Sequence, residues 1–241
     1  MPGIGTLINC IGILLGGLLG ILCGRFLKEN IQDALTKVCG ISTLFIAISG
    51  VLENMLRIEA DGSLTAEGST LIIISLALGT LIGEILHIES GFERFGKWLK
   101  VKTGNAQDKS FVEAFVTASF TVCIGAMAIV GSIQDGIAGD YSILAAKAIL
   151  DLIIIAVMTC ALGRGCIFSV IPVALFQGFI TLLAGLLRPV MTEAALSNLS
   201  LVGSVLIFCI GVNLVWGKKI RVANMLPSIF IAVIAAFLPF F

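Results

Sequence analysis

Charge is what this chain has least of. Only 12% of its 241 residues are Asp, Glu, Lys or Arg, where a soluble domain carries about 25%. So few ions cannot clothe a water-facing surface, which excludes a soluble globular domain. Lys+Arg and Asp+Glu both total 15, so there is no basic excess to hold nucleic acid. Histidine occurs once, as His87 at the end of an apolar segment. An interfacial role fits it better than a ligand or base. The seven cysteines (10, 23, 39, 123, 160, 166, 209) form no CxxC pair and are irregularly spaced. They read as small buried hydrophobes, not as a metal or disulfide framework. HExxH, GxSxG and phosphate-cradling glycine loops are missing too. The expectation is a protein that is no enzyme and holds no metal or cofactor.

What the chain does have is oil. Hydrophobic residues make up 58%, and the mean hydropathy is +1.12. The surface must face hydrocarbon, so the lipid bilayer is its first partner. A spanning helix needs about 20 apolar residues, and in lipid the backbone must satisfy itself within helices. Segments bounded by charges or turn residues predict about eight: Ile4–Phe26, Val38–Leu52, Gly68–Gly83, Ala114–Gln134, Tyr141–Leu162, Cys166–Leu187, Ala194–Gly217 and Val222–Phe241. The first has no basic leader and no clear cleavage site, so it reads as a true span and not a signal peptide. With the N-terminus outside, alternate loops hold Arg25, Lys28, Lys37, Arg94, Lys97, Lys100, Lys102, Lys109, Arg164, Lys218, Lys219 and Arg221. That leaves only Arg57 and Arg188 outside and Lys147 within a span, the asymmetry of the positive-inside rule. Both termini are therefore expected outside. The fold class is all-α, a polytopic membrane helix bundle forming a single transmembrane domain over 1–241.

Ile88, Phe92, Phe95, Trp98 and Leu99 recur at helical spacing among charges. They predict an interfacial amphipathic helix over 88–101. Internal likeness suggests helical-hairpin repeats over roughly 4–56, 68–136 and 167–216. LGGLLG (15–20) resembles LGTLIG (78–83), and Glu53 aligns with Asp135. LLAGLL (182–187) resembles LLGGLL (14–19). The first two copies are parallel and the third is inverted, an arrangement typical of transporters. Gly12, Gly16, Gly20 and Gly24 line one helix face. Such a face lets backbones approach closely, either inside the chain or across a homodimer. The second and third spans are short. Fifteen residues reach only about 22 Å, so either flanking charges snorkel or these helices are partly re-entrant.

Two charges lie deep in an apolar span, Lys147 and Asp151. Each costs about 2.5–3.5 kcal/mol to insert, and ionisable residues at depth are functional by default. At i,i+4 they share a face and can also pair simply to fix packing. GSIQDGIAGDY (131–141) precedes them. Gly131, Gly136 and Gly139 permit unwound backbone there, with Ser132, Gln134, Asp135 and Asp140 as polar groups. The stretch reads either as the edge of a cation or proton site, or as an outer turn in which Asp140 caps the next helix. Gln177 and Asn213 are buried amides suited to interhelical bonds or a polar lining. Pro172 and Pro227 are expected to kink their spans.

GAMAIVGSIQDGIAGDYSILAAKAILD (125–151), IPVALFQGFITLLAG (171–185) and GVNLVWGKKIRVANMLPSIFIA (211–232) resemble an uncharacterised prokaryotic integral-membrane family of unknown function, with YqgA- and YdfK-type members. The likeness covers essentially the whole chain. It implies a bacterial or archaeal cytoplasmic membrane and a multi-span helical fold, and no established activity. The functional expectation is a transporter or channel for a small solute or ion, proton- or cation-coupled. Its substrate- or ion-binding residues would be Asp151, Lys147, Gln134, Asp135, Ser132, Gln177 and Asn213. The rival expectation is a structural or assembly protein, a homodimeric scaffold without transport.

Overall fold

The computed structural model describes residues 2–24, 26–59 and 61–238, with all their side chains but those of Glu29 and Ala126. Arg25, expected in the first inner loop, and the last three residues of the eighth expected span lie outside the described residues. The chain is a bundle of α-helices: α1 (Ile4–Gly24), α2 (Glu29–Met55), α3 (Ser69–Leu86), α4 (Ile88–Lys102), α5 (Phe111–Cys123), α6 (Ala126–Ala138), α7 (Ser142–Leu162), α8 (Val170–Leu182), α9 (Ala184–Leu187), α10 (Glu193–Trp216) and α11 (Pro227–Ala235). Short 3-10 helices, Arg164–Ser169 and Val222–Met225, lead into α8 and α11.

Among the described residues six helical stretches are long and apolar enough to cross a membrane, and the α5–α6 pair makes a seventh if its two bent halves are one span. The eighth expected span is instead the shorter apolar segment Val222–Ala235. The expected single span Ala114–Gln134 is broken. Its halves bend by 62° at Ile124 and Gly125, where Gly125 takes φ +150°. The expected short second span is the 27-residue α2. Its charges do not end the helix; Lys37 pairs with Asp33 one turn away at 2.7 Å, in the open. The Gln32 amide donates to the Gly24 and Leu27 carbonyls and secures the turn before it. Pro172 and Pro227 stand in the first turns of α8 and α11, where a missing N–H is harmless. A two-stranded hairpin, Leu56–Ile58 with Leu64–Ala66, turns through Asp61 and Gly62. The Asp-Gly pair is its sequence signal.

The chain forms two units that interleave in sequence. The first comprises Met1–Cys39 and Ser90–Pro189. Its axis is α1 against α7, in contact because glycine leaves no side chain between them. A β-carbon at Gly12, Gly16 or Gly20 would run into the backbone of Ala148, Leu152 or Ala156. Gly24 faces Cys160. The partners rise together in steps of four, so the two helices are parallel. The glycine stripe is therefore filled within the chain and is not available for a dimer. Leu7, Leu15, Leu18 and Leu22 of α1 stay exposed, as lipid-facing residues should. Ile13, Val122, Ile155 and Val173 pack the centre. Helix α4 forms where the amphipathic pattern predicts it. Phe92 lies edge-on against Phe120, and Leu99 packs with Phe111 and Phe115 of α5.

The second unit comprises Gly40–Glu89 and Val190–Phe241. Gly40 and Gly211 meet backbone to backbone, and Gly50 meets Ser204, so this part of α2 runs antiparallel to α10. Asn54 exchanges hydrogen bonds with Ser197 and Ser200 of α10 at 3.1 and 3.4 Å. Gly79 and Gly83 seat α3 against Ser228 and Asn224. Asn224 Oδ1 accepts the Glu89 amide at 2.7 Å, and Lys218 pairs with Glu89 at 2.6 Å. His87 ends α3 in the left-handed region, φ +50°. One local motif occurs in both units. A long helix ends at a positive-φ glycine (Gly163 or Gly217), and a 3-10 helix then leads into the next α-helix.

The glycine contacts give a paired test. Gly16→Ala places a methyl against the Leu152 backbone and should lower stability by about 1–3 kcal/mol. A β-carbon at Gly178 of α8 meets nothing within 4 Å. Gly178→Ala should be neutral or stabilise by up to about 1 kcal/mol. Unfolding midpoints in one detergent decide both.

Candidate functional site

The site grows from the lysine on α7. Lys147 and Asp151 stand one turn apart, 7% and 2% exposed. The Lys147 ammonium donates to Asp151 Oδ2 at 2.6 Å and Oδ1 at 2.8 Å. It also donates to the Val122 carbonyl at 2.9 Å. An ammonium has three donors, and these acceptors occupy them. Val122 is in the last turn of α5, where carbonyls have no helical partner. A cation there also meets the negative end of the helix dipole. The break in α5–α6 and the buried lysine thus account for each other. The same carbonyl in an unbroken helix would be spent on the helix itself.

Asn9 of α1 stands one turn before Gly12, where α1 packs against Ala148 of α7. It is fully buried, and neither of its amide atoms meets hydrogen-bond geometry with any described group. Gln177 of α8 is in the same condition. The packing relates the two. Gly17 of α1 abuts Ile167, and Ile13 shares its cluster with Val173. One turn further along those faces come Asn9 and Gln177.

Asp135 of α6 is fully buried. Its Oδ2 accepts the Gly3 and Gly5 amides, each at 3.0 Å, and so caps the start of α1 from a distant helix. Its Oδ1 has no hydrogen-bond partner. Beside it, Gly136 touches the Thr181 carbonyl of α8. The hydroxyls of Thr6 and Thr181 are buried and unpartnered as well. A buried polar file thus runs from the α5–α6 break, through Lys147, Asp151 and Asn9, toward Asp135 at the start of α1.

The other expected residues fall elsewhere. Ser132 is buried, but its hydroxyl donates to the Ala128 carbonyl at 2.6 Å. Gln134 is half-buried on α6. Asn213 lies in the second unit. Its amide donates to the Ile220 carbonyl at 2.7 Å and accepts the Lys219 and Ile220 amides, so it holds the turn after α10 and lines no polar file. The backbone at Gly131 and Gly136 is helical, not unwound; only Gly139 is left-handed. Asp140 does secure the start of α7. It accepts the Ser142 hydroxyl at 2.6 Å and its amide at 3.0 Å, which hold its carboxyl below the usual carboxylate range. Thr6, Asn9, Thr181 and the Val122 carbonyl were not foreseen. The signal for Asn9 was an amide alone in a 21-residue apolar helix.

A surface cleft of about 360 Å³ lies among Gln32, Asp33, Thr36, Ser110 and Glu113, at the Leu162 end of α7. Eleven residues separate Leu162 from Asp151, about 16 Å along the helix. The ion pair itself is buried and does not line this cleft.

The model of the family described as Protein of unknown function (DUF554) matches residues 4–237. The chain belongs to the DUF554 family. It is similar to the Uncharacterized protein YqgA of Escherichia coli (strain K12), 30% identical over 95% of this chain and 94% of that one. It is also similar to the Uncharacterized membrane protein YdfK of Bacillus subtilis (strain 168), 26% identical over 97% and 95%. No solved structure matches it. This DUF554 chain is a helical membrane protein.

Removing one partner of a buried pair leaves the other uncompensated, at about 3–5 kcal/mol, whereas replacing both by apolar groups is often neutral. Asp151→Asn and Lys147→Met should each destabilise this DUF554 protein by that order. Lys147→Met/Asp151→Leu should recover part of the loss, and the shortfall measures the freed Val122 carbonyl. Thermal unfolding of the singles and the double reads the cycle.

Proposed function

We propose that this protein is a transporter or channel for a small solute or ion, proton- or cation-coupled, without enzymatic activity. It would sit in a prokaryotic cytoplasmic membrane with both termini outside. One observation carries the reading. A buried ion pair fastens a broken helix beside a file of buried polar atoms without partners in the protein. Native interiors leave few such atoms, and each calls for a water, an ion or a function. Discontinuous helices beside intramembrane charges are how transporters build sites at depth. On this reading Asp151 and Lys147 carry the charge work and the closed contact is an occluded state. Passage requires the pair to open. The parallel course of α1 and α7 bears on the span count. It needs an odd number of crossings between them, and α2, α3 and the α5–α6 pair supply three.

The scaffold reading has its own support, because the pair is sealed and short. A homodimer would then use a surface other than the α1 glycine stripe, which α7 occupies.

Flux in proteoliposomes separates the two. Transport predicts uptake of a small ion or solute that changes with pH, and Asp151→Asn should abolish that pH dependence. A folded Asp151→Asn protein that keeps full pH-dependent flux would remove Asp151 from the mechanism. Impermeability of the native protein across a broad panel of ions and solutes would favour the scaffold.

A further inference from the structure

We propose that the Asp135 end of the polar file is a binding site for a monovalent alkali cation, held between α1, α6 and α8. The charge balance points there. Among the described residues of the first unit, the buried charged side chains are Asp135, Lys147 and Asp151. Lys147 and Asp151 neutralise each other. Asp135 is left without a buried cationic side chain of its own among the described residues of this unit, in an interior where an uncompensated carboxylate would be very costly. The α1 amides offset part of it through Oδ2, since a helix N-terminus carries roughly half a positive charge. Oδ1 faces the interior with no donor.

The donor set fits a hard cation. Next to the residues that Asp135 and its neighbour contact stand two threonines: Thr6 follows Gly5 on α1, and Thr181 of α8 has its carbonyl against Gly136. Gln177 lies one turn before Thr181. All are at least nine-tenths buried, and their oxygens have no partner in the protein. Neutral oxygens with a single carboxylate suit an alkali ion. A divalent ion would leave an excess positive charge in the same dry interior. The inference deepens the transport reading, on which its role as coupling ion rests. Binding itself does not require transport.

The test is ligand-dependent stability of the purified full chain in detergent. Na⁺, K⁺ and Li⁺ chlorides are each titrated against choline chloride at constant ionic strength, and ²²Na⁺ binding is read by scintillation proximity. At least one alkali ion should raise the unfolding midpoint in a saturable way. Asp135→Asn keeps an acceptor for the α1 amides and should abolish that rise. Thr181→Val, nearly isosteric and leaving Asp135 intact, should weaken the apparent affinity at least about tenfold, so the test survives if Asp135→Asn fails to fold. Midpoints identical in all four salts would overturn the site. So would an alkali effect unchanged in both variants, or a stability that follows pH alone, which would mean a proton or water at Asp135. Saturable binding without flux would leave the site standing and remove only the transport reading.

Discussion

The Lys147 ammonium holds three acceptors at once: both oxygens of Asp151 and the carbonyl of Val122. Much of the first unit depends on that clamp. Without it the α5 C-terminus would leave carbonyls unmet in an apolar interior, and α5 and α6 would have reason to join into one straight helix. Without Val122, the lysine would have a spare donor in the same place. A buried pair is weak evidence for stability as such. Here it joins a break in one helix to the midpoint of another.

Glycine makes the clamp possible. The α1 stripe brings α7 close enough that backbones touch. The same closeness lets Asp135 reach the amides of Gly3 and Gly5. Packing and polarity are therefore coupled in this unit. In the second unit small residues again set the contacts, yet the amides there, Asn54, Asn213 and Asn224, spend their hydrogen bonds on neighbouring helices and turns. Among the described residues the buried side-chain amides without partners, Asn9 and Gln177, belong to the first unit.

The long helices, α4 and the Lys147–Asp151 pair were legible in the sequence because each is a local pattern: apolar length, helical periodicity, and i,i+4 spacing. What was not legible depends on distant partners. Val122 sits in a run without charges, and a lysine 25 residues on lets the helix stop there. The charges at Asp33 and Lys37 looked like an end to α2, because a charge count does not see that they pair outside the apolar stretch. Asn9 was hidden among glycines that drew attention to packing. Asp135 was read as lying in an unwound turn, and it is instead a remote cap. The division into two interleaved units has no composition shift to announce it, since long apolar helices occur in both.

The account rests on Asp151 being an ionised carboxylate clamped by Lys147 inside the membrane. Infrared difference spectroscopy of the reconstituted protein against Asp151→Asn at neutral pH tests this directly. The account predicts that the lost signal is a carboxylate stretch slow to respond to deuterium oxide. A lost signal from a protonated carboxylic acid, or one that shifts at once on solvent exchange, would contradict it.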